Sequence, residues 1–473
     1  MLIIMVQSDT HKGTCLIAHV HSFPRRKTRS QAWCAGMSLT VLHAVLQVDD
    51  PCSERNMRQL TGLSKLQSLC IVAPGADGFD HNEVQVEFPG RLTCLTELHL
   101  PFWLLREVSS VSDCSTLCHL QLRVGELQSP LLPGMWTASH LDALARLTHL
   151  TQLHVDMQGI AAPLPGQGLD SGDFLGVLRQ LPGLRVVGAH LWPPSALPVL
   201  QSLAQVTAVY GGWDVPADVD VSGSVCPHIR ELGVTWHSVP FQAFPNLTSV
   251  TFSWLFAQNM LSLSHHCTGL QRLALTPTLD ANCTMLCQLC SSTDGMVAMK
   301  SLANLQHLTH LELAPRSDAE LTAFLSAAAA VSTMRLRFLS VRGPHSAFGL
   351  MQLLTLRGPQ EVSVQLTNSR VDFPLEGVNA LLVGLATVPK VSLRLCSEEQ
   401  LARANVVRCW ARPLSYGYPL PAVLHISKVP CDEGEDDDDD ADDDAESDDD
   451  ADSESDSSDI DGDSSSEGVD GDA

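Results

Sequence analysis

The chain is poor in the residues that most functions of its size draw on. Of 473 residues only 18% are charged and 5% aromatic, with three tyrosines and six lysines. So few lysines, and a formal net charge of −25 at neutral pH, exclude a globally cationic nucleic-acid binder, because neutralising phosphates takes a basic surface. No apolar run reaches the ~18 residues that would cross a bilayer, so no membrane span is expected. The apolar start Met1 to Val6 is cut short by Gln7, Ser8 and Asp9 with no cleavage-type pattern after it. A soluble chain of the cytoplasm or nucleus is therefore expected, and nothing speaks directly for a ciliary axoneme. Neither a G-x-S-x-G, an H-E-x-x-H nor a G-K-S/T phosphate loop is present, so no enzyme, catalytic residue or cofactor is expected.

What is present is unevenly placed. Asp432 to Ala473 hold 24 of the 54 acids and no base, which leaves residues 1–431 nearly neutral with 30 acids against 29 bases. An almost purely acidic segment has little apolar surface to offset chain entropy and is expected to be disordered. The 15 cysteines are odd in number and scattered, many at positions that otherwise carry Leu or Val. That usage favours buried reduced thiols over a disulfide framework.

One motif recurs along the middle of the chain. Leu92-x-x-Leu95-x-x-Leu98-x-Leu100 returns as Cys114-x-x-Leu117-x-x-Leu120-x-Leu122 and again from Leu144 to Val155. Similar frames run over residues 60–71, 226–234, 241–252, 267–275 and 302–313, and weaker ones end near Val187, Val209, Leu339, Val362 and Val391. The anchors fall at 69, 98, 120, 153, 187, 209, 232, 250, 273, 311, 339, 362 and 391, with gaps of 18 to 38 residues. The Leu-x-Leu part has a period of two, which turns its leucines to one side of a short strand and its x residues to the other. The preceding period near three suits a helical segment packed behind that strand. One such unit cannot bury its own apolar face, so the copies must stack.

Over roughly residues 55–400 the chain resembles the leucine-rich repeat superfamily. The resemblance implies an α/β leucine-rich repeat solenoid, an irregular horseshoe with a parallel sheet on its concave face, followed by the disordered acidic C-terminal tail. Family repeats usually place Asn or Cys five residues after the anchor, where it bonds to the turn. Here only Cys396 conforms; Trp192, His237, Pro344 and others stand in the remaining slots. Divergent repeats are therefore expected rather than a regular ribonuclease-inhibitor array. The expected organisation is an N-terminal segment over 1–50, partly disordered or capping, with a strand near Leu39 to Val45, an array over 51–396, a cap over 397–430 and the tail over 431–473. Repeats followed by an acidic tail are also similar in layout to the acidic leucine-rich nuclear phosphoproteins and the GTPase-activating protein of Ran, and no residue carries over from either.

Several local patterns have a chemical and a plainer reading. Cys283, Cys287 and Cys290 have an iron-sulfur spacing, yet they also lie on one face of a helix with Leu286, and the core reading is preferred. His99, His119, His154 and His310 fall at strand x positions, where no thiol or carboxylate partner recurs beside them, so no metal is expected. The Asp459-x-Asp461-x-Asp463 run lacks the EF-hand glycine, since Ser464 stands there. Arg25, Arg26, Lys27 and Arg29 form a basic cluster that suits nuclear import or an ordinary loop.

The aromatic residues carry the one candidate binding site. Trp213, Trp236 and Trp254 each lie four residues after an anchor, with Tyr210 and His237 nearby. These rings either fill the turn left by the missing Asn ladder or line a rim of exposed anchors for a partner. The sequence thus reads as a non-enzymatic protein–protein interaction scaffold. Two rivals stand beside it: a substrate-recognition subunit of an F-box-type ubiquitin ligase, for which residues 1–50 match poorly, and an acidic-tail chaperone for basic proteins. Ser447, Ser453, Ser458 and Ser464 each have an acid three residues on, which suits acidophilic kinases.

Overall fold

The computed structural model describes residues 2–7, 15–20, 41–46, 65–72, 92–101, 115–123, 138–156, 172–213, 221, 223–235, 239–253, 257–275, 297–298, 300–315, 317–329, 336–355, 359–367, 374–397, 400–402, 404–405, 421 and 423–428. The chain divides into two units, Met1–Asp432 and Glu433–Ala473, and the fold that follows is that of the first. The acidic tail, the Cys283 to Cys290 run and the basic cluster at Arg25 lie outside the described residues.

The period-two segments form one sheet of 17 strands. They are β1 (Leu2–Gln7), β2 (Cys15–Val20), β3 (Val41–Leu46), β4 (Ser68–Val72), β5 (Glu97–Pro101), β6 (His119–Arg123), β7 (Gln152–Asp156), β8 (Val186–Trp192) and β9 (Ala208–Trp213). They continue as β10 (Glu231–Val234), β11 (Ser249–Phe252), β12 (Arg272–Leu275), β13 (His310–Leu313), β14 (Phe338–Gly343), β15 (Glu361–Leu366), β16 (Lys390–Leu395) and β17 (Val423–Lys428). Each strand pairs with the next along the chain. The β1–β2 pair is antiparallel and every pair from β2 to β17 is parallel. The thirteen anchors read from the sequence occupy a single register row from Leu69 to Val391. The sheet does not stop at the expected array boundaries. β3 pairs with β4 on one side, and on the other β17 adds Leu424 beside Val391, so the segment expected to cap the array supplies a further strand.

Every anchor is at most 1% exposed, and the residues three and six positions before it are buried too wherever they are described, for example Leu95 and Leu92, Leu150 and Leu147, and Ile229 and Cys226. Burying a Leu or Val side chain contributes roughly 1.5–3 kcal/mol, so these rows contribute substantially to the stability of the fold. The apolar faces of the helices Ala138–Ala145, Gly172–Leu178, Ala196–Ser202, Ala257–His266, Asp318–Ala329 and Leu375–Gly384 complete the same core through Leu144, Phe174, Leu200, Met260, Leu325 and Leu381. No helix among the described residues is long and apolar enough to cross a membrane.

Adjacent repeats are tied by a device other than an Asn ladder. Thr96, Thr151, Thr207, Thr248 and Thr309 each stand two residues before an anchor, in alternate repeats. Each hydroxyl donates to the carbonyl at the equivalent place one repeat earlier, on Gln67, Cys118, Arg185, Arg230 and Gln271, at 3.1 to 3.5 Å. Those carbonyls also accept two backbone N–H groups from the same threonine and the residue after it. Two of the described residues five positions after an anchor also bond across repeats, Trp192 in place of the family's Asn and Cys396 in keeping with it. Trp192 donates its indole N–H to Tyr210 O at 2.9 Å, and Cys396 its thiol to Leu366 O at 2.8 Å.

Candidate functional site

The helices cover the anchor side of the sheet, and the x residues of the strands form the opposite, open face. Its centre is built from an alternation of large and absent side chains in one register row: His154, Gly188, Tyr210 and Gly233 on β7 to β10. A Cβ at Gly188 would lie 2.3 Å from His154 Nδ1, and one at Gly233 would lie 2.2 Å from Tyr210 Cδ1. Both rings therefore lie down over the next strand, where any larger residue would lift them. Their centroids are 5.5 Å apart with planes at 51°, and both side chains stay half-buried. This makes a tilted pair of rings on the open face, separate from a second pair, His310 and Phe338, whose centroids are 5.7 Å apart on β13 and β14.

Polar groups fix the His154–Tyr210 pair at its edges. The Tyr210 hydroxyl donates to Glu231 Oε1, one strand on. Burial, then the bond to Glu231 and its charge, push the phenol well above its ordinary range, so it remains a donor at all physiological pH. Arg272 reaches Glu312 Oε1 at 2.6 Å on the next strands. On the other side stand His99 and His119, with His99 Nε2 at 3.0 Å from Glu97 Oε1. Burial works to raise the Glu97 carboxyl, but bonds from Ser68 and His99 and the charges of His99 and His119 carry it below its ordinary value. Burial, with the neighbouring charges of His99 and His119, lowers the His154 imidazole, so it sits in the pair as a neutral ring. Among the described residues no group of three or more His, Cys, Asp or Glu is arranged to hold a metal ion.

The structure separates the residues that the sequence grouped together. Tyr210 lies on the open face. Trp213 does not: it is fully buried, with Trp192 at 6.1 Å and Phe244 in an edge-on contact at 5.3 Å. The rim reading is therefore corrected for Trp213, because it points to the helix side and fills the turn. Trp236, His237 and Trp254 lie outside the described residues. His154, Gly188, Gly233 and Glu231 were missed as parts of a site; the signal that finds them is the ring-glycine-ring-glycine alternation one residue after successive anchors.

No family model matches the chain, and no curated protein matches it either. Among solved structures it is similar to the TLR13 chain of a TLR13–ssRNA13 complex, at 16% identity with a TM-score of 0.38, over 75% of this chain and 45% of that one. It is also similar to a leucine-rich repeat protein of Leptospira interrogans, at 11% identity with a TM-score of 0.22, over 78% of this chain and 88% of that one. The chain thus spans less than half the length of the TLR13 chain it matches. Thirteen anchors in one buried row, strands in sequential parallel order and the described helices packed on the anchor side give this chain the fold of a leucine-rich repeat solenoid.

Proposed function

We propose that this chain is a non-enzymatic scaffold that binds another protein on the open face of its sheet, with His154 and Tyr210 as the floor of the contact. The observation that carries this reading is the pair of half-buried rings laid over Gly188 and Gly233. A rigid aromatic surface loses little side-chain freedom on binding and presents a large apolar area beside hydrogen-bonding edges, the combination typical of binding hot spots. Glu231 and the Arg272–Glu312 pair supply a polar rim around it. The test is affinity capture from native extract with the full chain and with a chain ending at Val429, at low and moderate salt. The reading expects both to retain the same salt-resistant partner.

The uneven charge favours a second reading. With 24 acids and no base between Asp432 and Ala473, the end of the chain is suited to attract basic proteins electrostatically. In that case capture needs the acidic segment and is lost as salt screens it.

A further inference from the structure

We infer that the open face of β14 to β16 is a second docking site, taking an extended acidic segment of a partner protein. Three residues of one kind align here. Ser340, Ser363 and Ser392 are in register on successive strands, all half-buried, and form a row of short hydroxyls. Two residues further along the same strands, Arg342, Gln365 and Arg394 are also in register, with both arginines exposed. On the other flank, Lys390 bonds to Glu361 at 2.7 Å. The short serines thus lie between a row of Phe338, Glu361 and Lys390 and a row of Arg342, Gln365 and Arg394, in which three cations stand against one carboxylate.

Charge and spacing both select the occupant. Across β14–β16 the open face carries Arg342, Arg394 and Lys390 against the single carboxylate Glu361, whereas on earlier strands Glu97, Glu231 and Glu312 stand against Arg123 and Arg272, so the cationic excess is local to β14–β16. Arg342 and Arg394 stand two strands apart, which places their Cα atoms roughly 10 Å from each other. A chain in the polyproline II conformation presents every third residue on one side at intervals of about 9.3 Å. A segment with Asp or Glu at that interval, lying across the strands, can meet both guanidiniums while its backbone carbonyls face the serine hydroxyls. The site does not share a strand with the His154–Tyr210 floor, so either can fail without the other.

The experiment is fluorescence anisotropy of a labelled decaglutamate peptide with the full chain at about 0.15 M salt, where the ~8 Å screening length leaves only nearby charges in play. Saturable binding is expected. The double variant Arg342→Ser, Arg394→Ser is expected to weaken it by about tenfold or more, since it removes two charge-assisted contacts. Ser363→Asp, which puts a like charge in the serine row, is expected to do the same while melting at the parent temperature. The control pair Arg146→Ser, Arg185→Ser removes the same charge from exposed positions in earlier repeats and is expected to leave binding unchanged. Equal weakening in both pairs, absence of saturable binding, or binding of a phosphoserine peptide where decaglutamate does not bind would each overturn the assignment.

Discussion

Gly233 and Tyr210 occupy one register row on neighbouring strands, and the ring of the second fills the space of the side chain the first lacks. The site and the repeat are thus specified together. Replacing Gly233 by Ala is expected to lift the ring from the sheet and break its hydrogen bond to Glu231. The direct effect on stability is expected to be about 1–3 kcal/mol by overpacking, read from urea midpoints. An unchanged midpoint and unchanged partner capture would mean that the ring is not held as described.

Gly211 is expected to be less tolerant still. Its φ is +135°, and a Cβ there would lie 1.7 Å from Ala189 O, where β8 and β9 shift register. The obstacle is backbone, which cannot swing aside. Gly211→Ala is expected to cost ~3 kcal/mol or more, seen as a large fall in melting temperature.

Trp213→Ser separates the two readings of the aromatic row. Because Trp213 is fully buried against Trp192 and Phe244, its truncation is expected to destabilise the fold by about 3–5 kcal/mol and to broaden thermal melting. A variant that melts normally yet loses its partner would return Trp213 to the binding surface.

Much of this fold was legible in the sequence because a buried Leu-x-Leu pair has few alternatives. Its period of two fixes which residues face inward, and thirteen copies made the frame plain. The inter-repeat bonding was harder to see. The family norm places it five residues after the anchor, whereas here five threonines two residues before the anchor carry much of it. The candidate site was legible only in Tyr210. A tryptophan four residues after an anchor is on the same side as the anchor in a regular strand, yet sequence alone does not show whether the strand still runs regularly there. The role of Gly188 and Gly233 depends on which strand lies beside which, and that follows only from the stacking order.

Thiol chemistry is expected to report burial. Burial pushes the Cys226 thiol up to about 11 and the Cys267 thiol up to about 12, and their Sγ atoms donate to the Leu197 and Phe244 carbonyls. Cys94 is exposed. With a thiolate-selective reagent at about pH 8, peptide mapping is expected to find Cys94 labelled first and Cys226 and Cys267 labelled only on unfolding. Early labelling of Cys267 would contradict the packing of that repeat.

Stability is expected to fall on mild acidification. Burial lowers the imidazoles of His154 and His345; for His345 it outweighs the pull of Asp318, whose carboxylate lies at 3.2 Å. The unfolded chain takes up these protons near the ordinary value of about 6.5, while the folded chain resists them. The unfolded state therefore binds more protons below that pH, and stability drops as pH falls through about 6.5 toward the lower folded values. Glu97, with its lowered carboxyl, adds a loss only further down, as pH falls through the carboxylate range. Urea midpoints at about pH 7.5 and 5.5 are expected to show the drop, and a higher midpoint at the acidic pH would contradict it.

The most direct test of the account is paired affinity capture with the native chain and Tyr210→Ala, both shown to melt alike, at moderate salt. The account predicts a partner that the native chain retains and the variant releases, because the floor formed by His154 and Tyr210 is the contact. Retention of the same proteins by both, or a catch of basic proteins that salt removes from both, would contradict it.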